Sequence, residues 1–334
     1  MHSKITLLFF TLLLSCIWGR LKAQDVHFSM ADANPLLLNP ALSGMYRPDW
    51  RAAVQYRSQW QTVPVQYRTI MANYDTKLIQ QKNNMLSVGM LLAQDKAGDA
   101  GLSWTQVGVR VSAAHALSQK HTLSVGFSVD AVQRKFDISG LKFFNQWNGD
   151  NYDPNLPNKE DTNNASKVRP SVAVGTNWHY EPGTSSRTTI DAGIAMAHLN
   201  RPAVHFQNFT PSSLAPRWSL YTFSTLQNTE KIDYIVSAYA QRLKTATEIV
   251  LGGGVRYWLS DQTSVKTTLS GRIGDALIPA IQVQQNQWTV GMSYDVNLSG
   301  FKVATDRRGG FEIVLLYTPL SVKPIKDLKG CPIF

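Results

Sequence analysis

Apolar and polar side chains alternate along most of the chain with a period of two residues. The stretch HTLSVGFSVDAVQ at 121–133 is an example. Its Leu123 and Val125 fall on one face, and Ser124 between them falls on the other. Strand geometry places successive side chains on opposite faces of a sheet, so this period indicates β-structure. The same alternation recurs at 105–113, 265–273 and 288–296. Because helical periodicity is nearly absent, the pattern predicts an all-β protein.

The alternating segments are mostly about ten residues long, which matches a tilted strand that crosses a membrane. A soluble β-sandwich also alternates, because one face of each sheet packs and the other is wet. We predict a transmembrane antiparallel outer-membrane β-barrel over residues 51–317, with about 14 strands and with 12 or 16 as alternatives. The candidate strands are 51–60, 66–75, 85–93, 104–116, 121–133, 169–180, 188–198, 217–225, 232–242, 247–258, 263–273, 276–285, 287–296 and 310–317.

The lengths of the connections favour the barrel over the sandwich. If the first strand leaves the periplasm, the three longest connections all fall on the extracellular side. These are 134–168, 199–216 and 297–309. Four short connections fall on the other, periplasmic side. These are 117–120, 226–231, 259–262 and the turn around Asn286. Outer-membrane barrels have short periplasmic turns and longer outer loops. Long and short connections therefore alternate between the two sides as expected, which supports an even number of strands.

Residues 1–23 have the pattern of a cleaved secretory signal peptide. Lys4 precedes an apolar stretch, 5–14, which is too short to span a bilayer as a helix, and Ala23 offers a small residue for cleavage. A lipoprotein site at Cys16 is a weaker alternative, because Leu14 is bulky for the cleavage box that would precede Cys16. Cleavage after Ala23 leaves Cys331 alone, so we expect no internal disulfide. The expected location is the outer membrane of a Gram-negative bacterium.

Nine polar residues share the face of their strands opposite to the apolar one. Facing lipid near the bilayer midplane costs Arg or Lys roughly 2–4 kcal/mol, so we expect these side chains to face the lumen. There they could form a structural network, line a water channel or contact an inserted partner segment. The nine residues are Arg57, Gln59, Arg110, Asp130, Arg256, Lys266, Arg272, Asp295 and Glu312.

The formal net charge of the chain is +10, and its Lys and Arg residues are scattered singly instead of forming a run. In an exported chain, this distribution argues against nucleic acid as a partner.

The segment ADANPLLLNPALSG at 31–44 breaks the alternation. Each proline fixes its own φ and disfavours a helix at the asparagine before it, and prolines do not fit a central strand. We therefore predict a short N-terminal element, 24–50, before the barrel, and a C-terminal periplasmic tail at 318–334. The motif residues of this element are Asn34, Pro35, Asn39, Pro40, Ala41 and Gly44.

Motifs at both ends of the chain resemble the PorP/SprF family of type IX secretion system outer-membrane proteins. The first group comprises Gln24 and Asp25, Phe28 and Ser29, the two Asn-Pro pairs, Arg57, and Gln59 with Trp60. The second group comprises GMSYD at 291–295, Ser299, GFEI at 310–313 and CPIF at 331–334. Two positions depart from the family pattern, because Met292 stands where Tyr is usual and Phe311 where His is usual.

The resemblance implies an outer-membrane component of type IX secretion. Such a protein would support export, or hold the C-terminal region of a large secreted surface protein of the gliding or adhesin type at the membrane. The Asn-Pro element would then plug the lower lumen or cap the periplasmic mouth, although it could also be a plain leader into the first strand. The alternative function is a FadL-like outer-membrane channel for small or hydrophobic molecules.

No catalytic or metal-binding arrangement stands out in the sequence. The histidines are spread without metal-ligand spacing. The acidic loop at 145–164 lacks the ordered Asp and Asn spacing of a calcium site, so a solvated surface loop is the better interpretation. We expect no enzyme activity, no cofactor and no metal.

Overall fold

The chain forms a closed barrel of 14 antiparallel strands. The strands are β1 Trp50–Gln59, β2 Tyr67–Gln81, β3 Asn84–Ala97, β4 Leu102–Ala116, β5 His121–Lys135, β6 Arg169–Tyr180, β7 Thr189–Ala197, β8 Arg217–Gln227, β9 Ile232–Leu243, β10 Ala246–Ser260, β11 Thr263–Arg272, β12 Ala276–Gln285, β13 Trp288–Asn297 and β14 Arg308–Tyr317. Each strand pairs with its neighbours in sequence, and β1 closes on β14. The predicted all-β antiparallel barrel and its count of 14 strands are confirmed.

The computed structural model describes most of the chain between residues 26 and 319. The described residues are 26–59, 67–98, 101–136, 141–157, 159, 166–183, 185–205, 212–300 and 308–319. The predicted signal peptide and the predicted tail from residue 320 onward, with Cys331, lie outside these residues. Trp60 and the acidic residues Glu160 and Asp161 of the long loop also lie outside them.

β2 is longer than the alternation predicts, because a register shift hides its continuation. The predicted strands end at 75 and begin at 85, but pairing runs on to Gln81 opposite Asn84. The register shifts between Lys77 and Ile79. Such a bulge changes the face on which later side chains lie, so the period of two is lost while the backbone ladder continues.

The two ends of the barrel differ. β1 begins and β14 ends at the same end, where the rings of Trp50 and Tyr317 lie 5.2 Å apart. We call this the terminal end and the opposite one the loop end. The longest connections, which follow β5 and β7, both lie at the loop end. The loop end is the side that the sequence predicts to be extracellular.

The wall of the barrel is apolar outside and polar inside. In β4, Val107, Val109 and Val111 are exposed on the outer surface, whereas Arg110 and Ser112 between and beside them are buried. This division suits a barrel that faces lipid, because every backbone group pairs within the closed ladder. No helix among the described residues has the length and apolar character that a membrane crossing would require.

The hydrophobic core lies inside the barrel and is built around residues that precede β1. Leu36, Leu37 and Leu38 belong to one buried cluster with inward residues of the wall, such as Met71 and Leu91. Each buried aliphatic side chain of this kind contributes about 1.5–3 kcal/mol. The N-terminal residues therefore fill space that the wall alone leaves open.

Candidate functional site: the N-terminal segment in the barrel lumen

Residues 26–49, the N-terminal segment, run through the lumen from the loop end to the terminal end. Near its start, Ser29 Oγ accepts from Arg272 Nη2 at 2.8 Å, where β11 ends at the loop end. Near its end, Asp49 O accepts from Lys77 N at 2.9 Å at the terminal end. The segment is thus in contact with the wall along its length.

The second Asn-Pro pair forms a compact turn in the middle of the lumen. Asn39 precedes the short 3-10 helix Pro40–Leu42, and its Oδ1 accepts from Ala41 N at 2.8 Å. A capping asparagine followed by proline is a favourable helix start, because proline has no N–H to leave unpaired. Asn39 Nδ2 also donates to Thr176 O at 2.9 Å and to Tyr221 Oη at 2.8 Å. One buried amide therefore both caps the turn and ties it to two strands.

Two strand glycines make room for this turn. A Cβ on Gly126 would lie 2.1 Å from Ala41 N, and one on Gly175 would lie 2.1 Å from Asn39 Oδ1. No larger residue fits beside the turn without moving its backbone or its capping side chain. Ala41 O accepts from Ser124 Oγ at 2.8 Å and from Ser112 Oγ at 3.2 Å. Glycine within a strand pattern is a sequence signal for such a close approach, although it does not say what approaches.

The first Asn-Pro pair is held by fewer side-chain bonds. Asn34 precedes the 3-10 helix Pro35–Leu37 without capping it, and its Oδ1 accepts from Asn73 Nδ2. Leu37 O accepts from Arg217 Nη2 at 2.8 Å. Gly44, at the end of the motif, has φ of +75°, which favours glycine, and its N–H donates to Asp75 Oδ2 at 2.9 Å.

Four of the nine predicted lumen residues meet in one buried charge cluster at the start of the segment. Arg57 Nη2 lies 2.7 Å from Asp295 Oδ2, and Arg272 Nη1 lies 2.9 Å from the same oxygen. Glu312 accepts from the backbone N–H groups of Ser29 at 2.7 Å and Met30 at 2.8 Å. Buried charges are tolerated when they are paired and hydrogen-bonded, and here the segment supplies part of that pairing.

The other five predicted lumen residues lie apart from this cluster. Arg110 and Asp130 form a separate buried pair, with Nη1 and Oδ1 2.7 Å apart. Lys266 Nζ lies 2.7 Å from Asp32 Oδ2 of the segment. Arg256 packs over the Trp258 ring, and Gln59 pairs with Gly310 at the seam between β1 and β14. Burial by itself would raise the pKa of Asp32, but the charge and hydrogen bond of Lys266, a backbone hydrogen bond and the charge of Arg256 together lower it.

Sequence reasoning missed two contacts that fix the segment at the terminal end. Asp75 is fully buried, accepts from Gly44, and pairs with Arg51 at 2.9 Å. Arg47 forms an ion pair with Glu181, which lies in the turn between β6 and β7, and Arg47 Nε and Glu181 Oε1 are 2.7 Å apart. The hydrogen bond from His179 lowers the pKa of Glu181; burial opposes this change and Arg47 adds to it. Asp75 shares the polar face of β2 with Asn73, which was the signal available in the sequence.

The connection between β7 and β8 covers the segment from the loop end. Its Val204 and Leu214 are buried in the same cluster as Leu37. His198, where this connection begins, is buried beside Ser171, with Nδ1 and Oγ 2.7 Å apart. The lumen around the middle of the segment is therefore covered from the loop end.

The described part of the chain contains no set of three or more His, Cys, Asp or Glu side chains placed to hold a metal ion. The acidic loop shows Asp150 exposed and Asp153 half-buried, with Asp153 Oδ1 accepting from Asn155 N at 2.9 Å. These contacts are those of a loop that caps its own turns.

Comparison with known proteins gives a family and a fold. The profile of the family described as Type IX secretion system membrane protein PorP/SprF matches residues 20–317. A search of curated proteins gave no match.

Among solved structures, the Ralstonia pickettii toluene transporter TbuX is 9% identical to this chain, with a TM-score of 0.50. The match covers 86% of this chain and 94% of the transporter chain. The TodX deltaS2S3 mutant monoaromatic hydrocarbon channel is also 9% identical with a TM-score of 0.50, covering 92% and 98%. A Pseudomonas aeruginosa FadL homologue is 10% identical with a TM-score of 0.46, covering 84% and 92%. At these identities the likeness concerns the barrel fold alone.

Proposed function

Because this chain belongs to the PorP/SprF family of type IX secretion system membrane proteins, we propose that it supports export or cell-surface anchoring of a secreted partner protein. The protein is an outer-membrane barrel component of that system rather than a channel or an enzyme. Its N-terminal segment acts as a plug, and its loop end faces the partner outside the cell.

The filled lumen is the observation that carries this proposal. Asn39 and Ala41 are fully buried at the centre of the barrel, and Leu36 is only 2% exposed. The buried charge cluster holds the first residues of the segment, and the hydrogen bonds of Asn39 hold its middle. A barrel whose lumen is filled by its own chain is suited to a role at the membrane surface rather than to the passage of small molecules.

The test is deletion of the gene followed by a search for type IX client proteins in four places: cytoplasm, periplasm, cell surface and medium. A role in export predicts that clients accumulate in the periplasm. A role in anchoring predicts that one client is lost from the surface and appears in the medium. Unchanged export and surface display of all clients would contradict both roles. Complementation with the wild-type gene is the control.

The second candidate is a FadL-like channel for small or hydrophobic molecules. Its support is the barrel fold that this chain shares with the toluene transporter TbuX. A channel requires the N-terminal segment to leave the lumen or to act as a hatch. Purified protein in planar bilayers separates the two functions: steady conductance that responds to substrate favours the channel, and a sealed barrel favours the secretion role.

A further inference from the structure

Three basic side chains lie in one row on the outer face of the barrel, near the loop end. Arg68 of β2 is paired across the strands with Lys96 of β3. Lys96 is paired with Ser103 of β4, and Ser103 with Lys135 of β5. The three basic side chains are exposed and share their face with the outward apolar residues of their strands. We call these four residues the outer basic row.

The acidic residues of the same four strands all face the lumen. β2 to β5 contain Asp75, Asp95 and Asp130. Asp75 and Asp130 are buried in ion pairs inside the barrel, and Asp95 accepts from the buried Thr69 Oγ1 at 2.6 Å. Within these four strands, the outer face therefore carries positive charge and no carboxylate.

The two lysines of the row have no ion-pair partner in the part of the chain that the structure describes. Asp99 and Asp137, in the connections next to β3 and β5, lie outside the described residues. Lys96 and Lys135 stand on either side of Ser103, so two strand spacings of about 4.8 Å separate them. The two ammonium groups are thus close enough to contact one multiply charged anion.

The row lies at the edge of the apolar surface of the wall. Two residues nearer the middle of the strands, the same face carries the neutral polar side chains Gln94, Thr105 and Gln133. The next positions on this face are apolar and exposed, as Leu92 and Val107 show. From the loop end inward, the outer face therefore changes from basic to neutral polar to apolar.

This order matches the boundary between the head groups and the hydrocarbon of a bilayer. Ser103 lies six residues from Val109, the midpoint of β4, which is about 20 Å along the strand. With a strand tilt of about 35–45°, Ser103 lies about 14–16 Å above a midplane at Val109, and the apolar band extends only about 12 Å to each side. The row is therefore just outside the hydrocarbon, where basic side chains face lipid at little cost.

The chemistry of the row fits a phosphorylated glycolipid. The loop end is the predicted extracellular side, and the outer leaflet of a Gram-negative outer membrane consists mainly of glycolipids whose sugars carry phosphates. Lys and Arg form charge-assisted hydrogen bonds with phosphate, and basic clusters beside a membrane bind anionic head groups. The amide and hydroxyl groups of Gln94, Thr105 and Gln133 are placed to bond with sugar and acyl-linkage groups, which an ordinary phospholipid lacks in part.

We propose that the outer basic row binds the phosphate groups of a glycolipid in the outer leaflet. Lys96 and Lys135 contact phosphate, and Arg68 adds a third positive charge beside them. The neutral polar side chains below the row contact the sugar. This proposal does not depend on the proposed secretion role, and it requires only that the loop end faces out of the cell.

The first test measures the binding of purified lipid A, a phosphorylated glycolipid, to the purified protein in detergent by native mass spectrometry. Lys96→Gln combined with Lys135→Gln is compared with the wild type. One basic residue near an anionic surface typically strengthens binding about fivefold, so the double variant should bind lipid A at least about tenfold more weakly. Unchanged affinity would overturn the proposal.

A matched variant shows whether the loss is specific to the row. Lys82→Gln with Lys120→Gln removes two exposed lysines from the turns at the terminal end of the same four strands. These turns lie farther from the row than the Debye length of about 10 Å, so the affinity for lipid A should barely change. A loss as large as that of Lys96→Gln with Lys135→Gln would mean that net charge alone determines binding, and would overturn the proposal.

Three further ligands separate the possible sources of the phosphate. Lipid A freed of its phosphates should lose most of its affinity, and millimolar inorganic phosphate should not displace intact lipid A. Phosphatidylglycerol should bind several-fold more weakly than lipid A, because it offers one phosphate and no sugar. Equal binding of phosphatidylglycerol and lipid A would show that any anionic lipid is sufficient, and would overturn the assignment to a glycolipid.

The second test is made in a bilayer, in phosphatidylcholine vesicles with and without lipid A. A ligand that binds the folded barrel stabilises it, so lipid A should raise the temperature of the shift between folded and unfolded migration on gels. The rise should be present in the wild type and in Lys82→Gln with Lys120→Gln, and much smaller in Lys96→Gln with Lys135→Gln. Equal stability of the three proteins without lipid A shows that the variants fold, and an equal rise in all three would overturn the proposal.

Discussion

At the scale of single residues, the lumen depends on pairing between groups that lie far apart in sequence. Asp295 accepts from Ser29 Oγ at 2.7 Å and lies within ion-pair distance of Arg57 and Arg272. Removing one member of such a group leaves the others buried without compensation, which typically costs about 3–5 kcal/mol. Exposed pairs contribute far less, because water screens them.

Asp295→Asn should therefore destabilise the folded barrel and loosen the first residues of the N-terminal segment. We expect a clearly lower temperature for the shift between folded and unfolded migration on gels, together with faster hydrogen exchange at 28–31. Asp275→Asn is the matched control, because Asp275 pairs with the same Arg272 at 3.1 Å but is 43% exposed. If both variants behave alike, the buried cluster is not what holds the segment.

A glycine tests the middle of the segment in the same way. Gly126→Ala places a Cβ against the backbone of Ala41, so the Asn-Pro turn should be displaced and hydrogen exchange at 36–42 should rise by at least about tenfold. Gly271→Ala in β11 is the control, because a Cβ there meets nothing within 4 Å. Unchanged protection at 36–42 in Gly126→Ala would contradict the packing described above.

At the scale of elements, the N-terminal segment is the part of the structure that distinguishes a filled barrel from an open one. The wall is a continuous ladder that closes without it, since β1 pairs with both β2 and β14. The segment itself has little regular structure beyond two short 3-10 helices. Side chains of the wall form hydrogen bonds with many of its backbone groups. It therefore depends on the barrel more than the barrel depends on it.

Replacing residues 31–43 with glycine and serine of equal length should leave a folded barrel whose lumen conducts ions. We expect steady current in planar bilayers from this variant and none from the wild-type protein. An equal-length replacement of the loop at 141–157 is the control and should remain sealed. A sealed barrel after replacement of 31–43 would mean that another element blocks the lumen.

At the scale of the whole molecule, the apolar outer surface and the polar interior determine where the protein can reside. Val109 is 52% exposed in the middle of β4, and Leu259 is 62% exposed next to the terminal end of β10. A charge on the lipid face costs roughly 2–4 kcal/mol at the bilayer midplane and about 0–1 kcal/mol near its surface.

Val109→Arg should consequently lower the free energy of unfolding in lipid vesicles by about 2–4 kcal/mol, and Leu259→Arg by about 1 kcal/mol or less. Equilibrium denaturation of each variant in the same vesicles measures the difference. Equal losses at the two positions would contradict a barrel that crosses the bilayer with the middle of β4 at its midplane.

The sequence by itself determined the architecture, because strand alternation is a local property that each segment repeats. The alternation at 121–133 and the parity of long and short connections were sufficient for a closed antiparallel barrel of about 14 strands. The Asn-Pro pairs were equally readable as an element that is neither helix nor strand, since proline restricts the backbone wherever it occurs. The family resemblance also came from motifs in the sequence.

Only the tertiary structure decided which groups meet inside the barrel. Arg57 and Asp295 are 238 residues apart and become partners because closure brings β1, β14 and β13 side by side. In the sequence, nothing distinguishes Gly126 and Gly175 from other strand glycines, and only the fold brings Ala41 and Asn39 against them. The physical reason is that alternation determines the face of a strand on which a side chain lies, whereas its partner depends on the register of the neighbouring strands and on what fills the lumen.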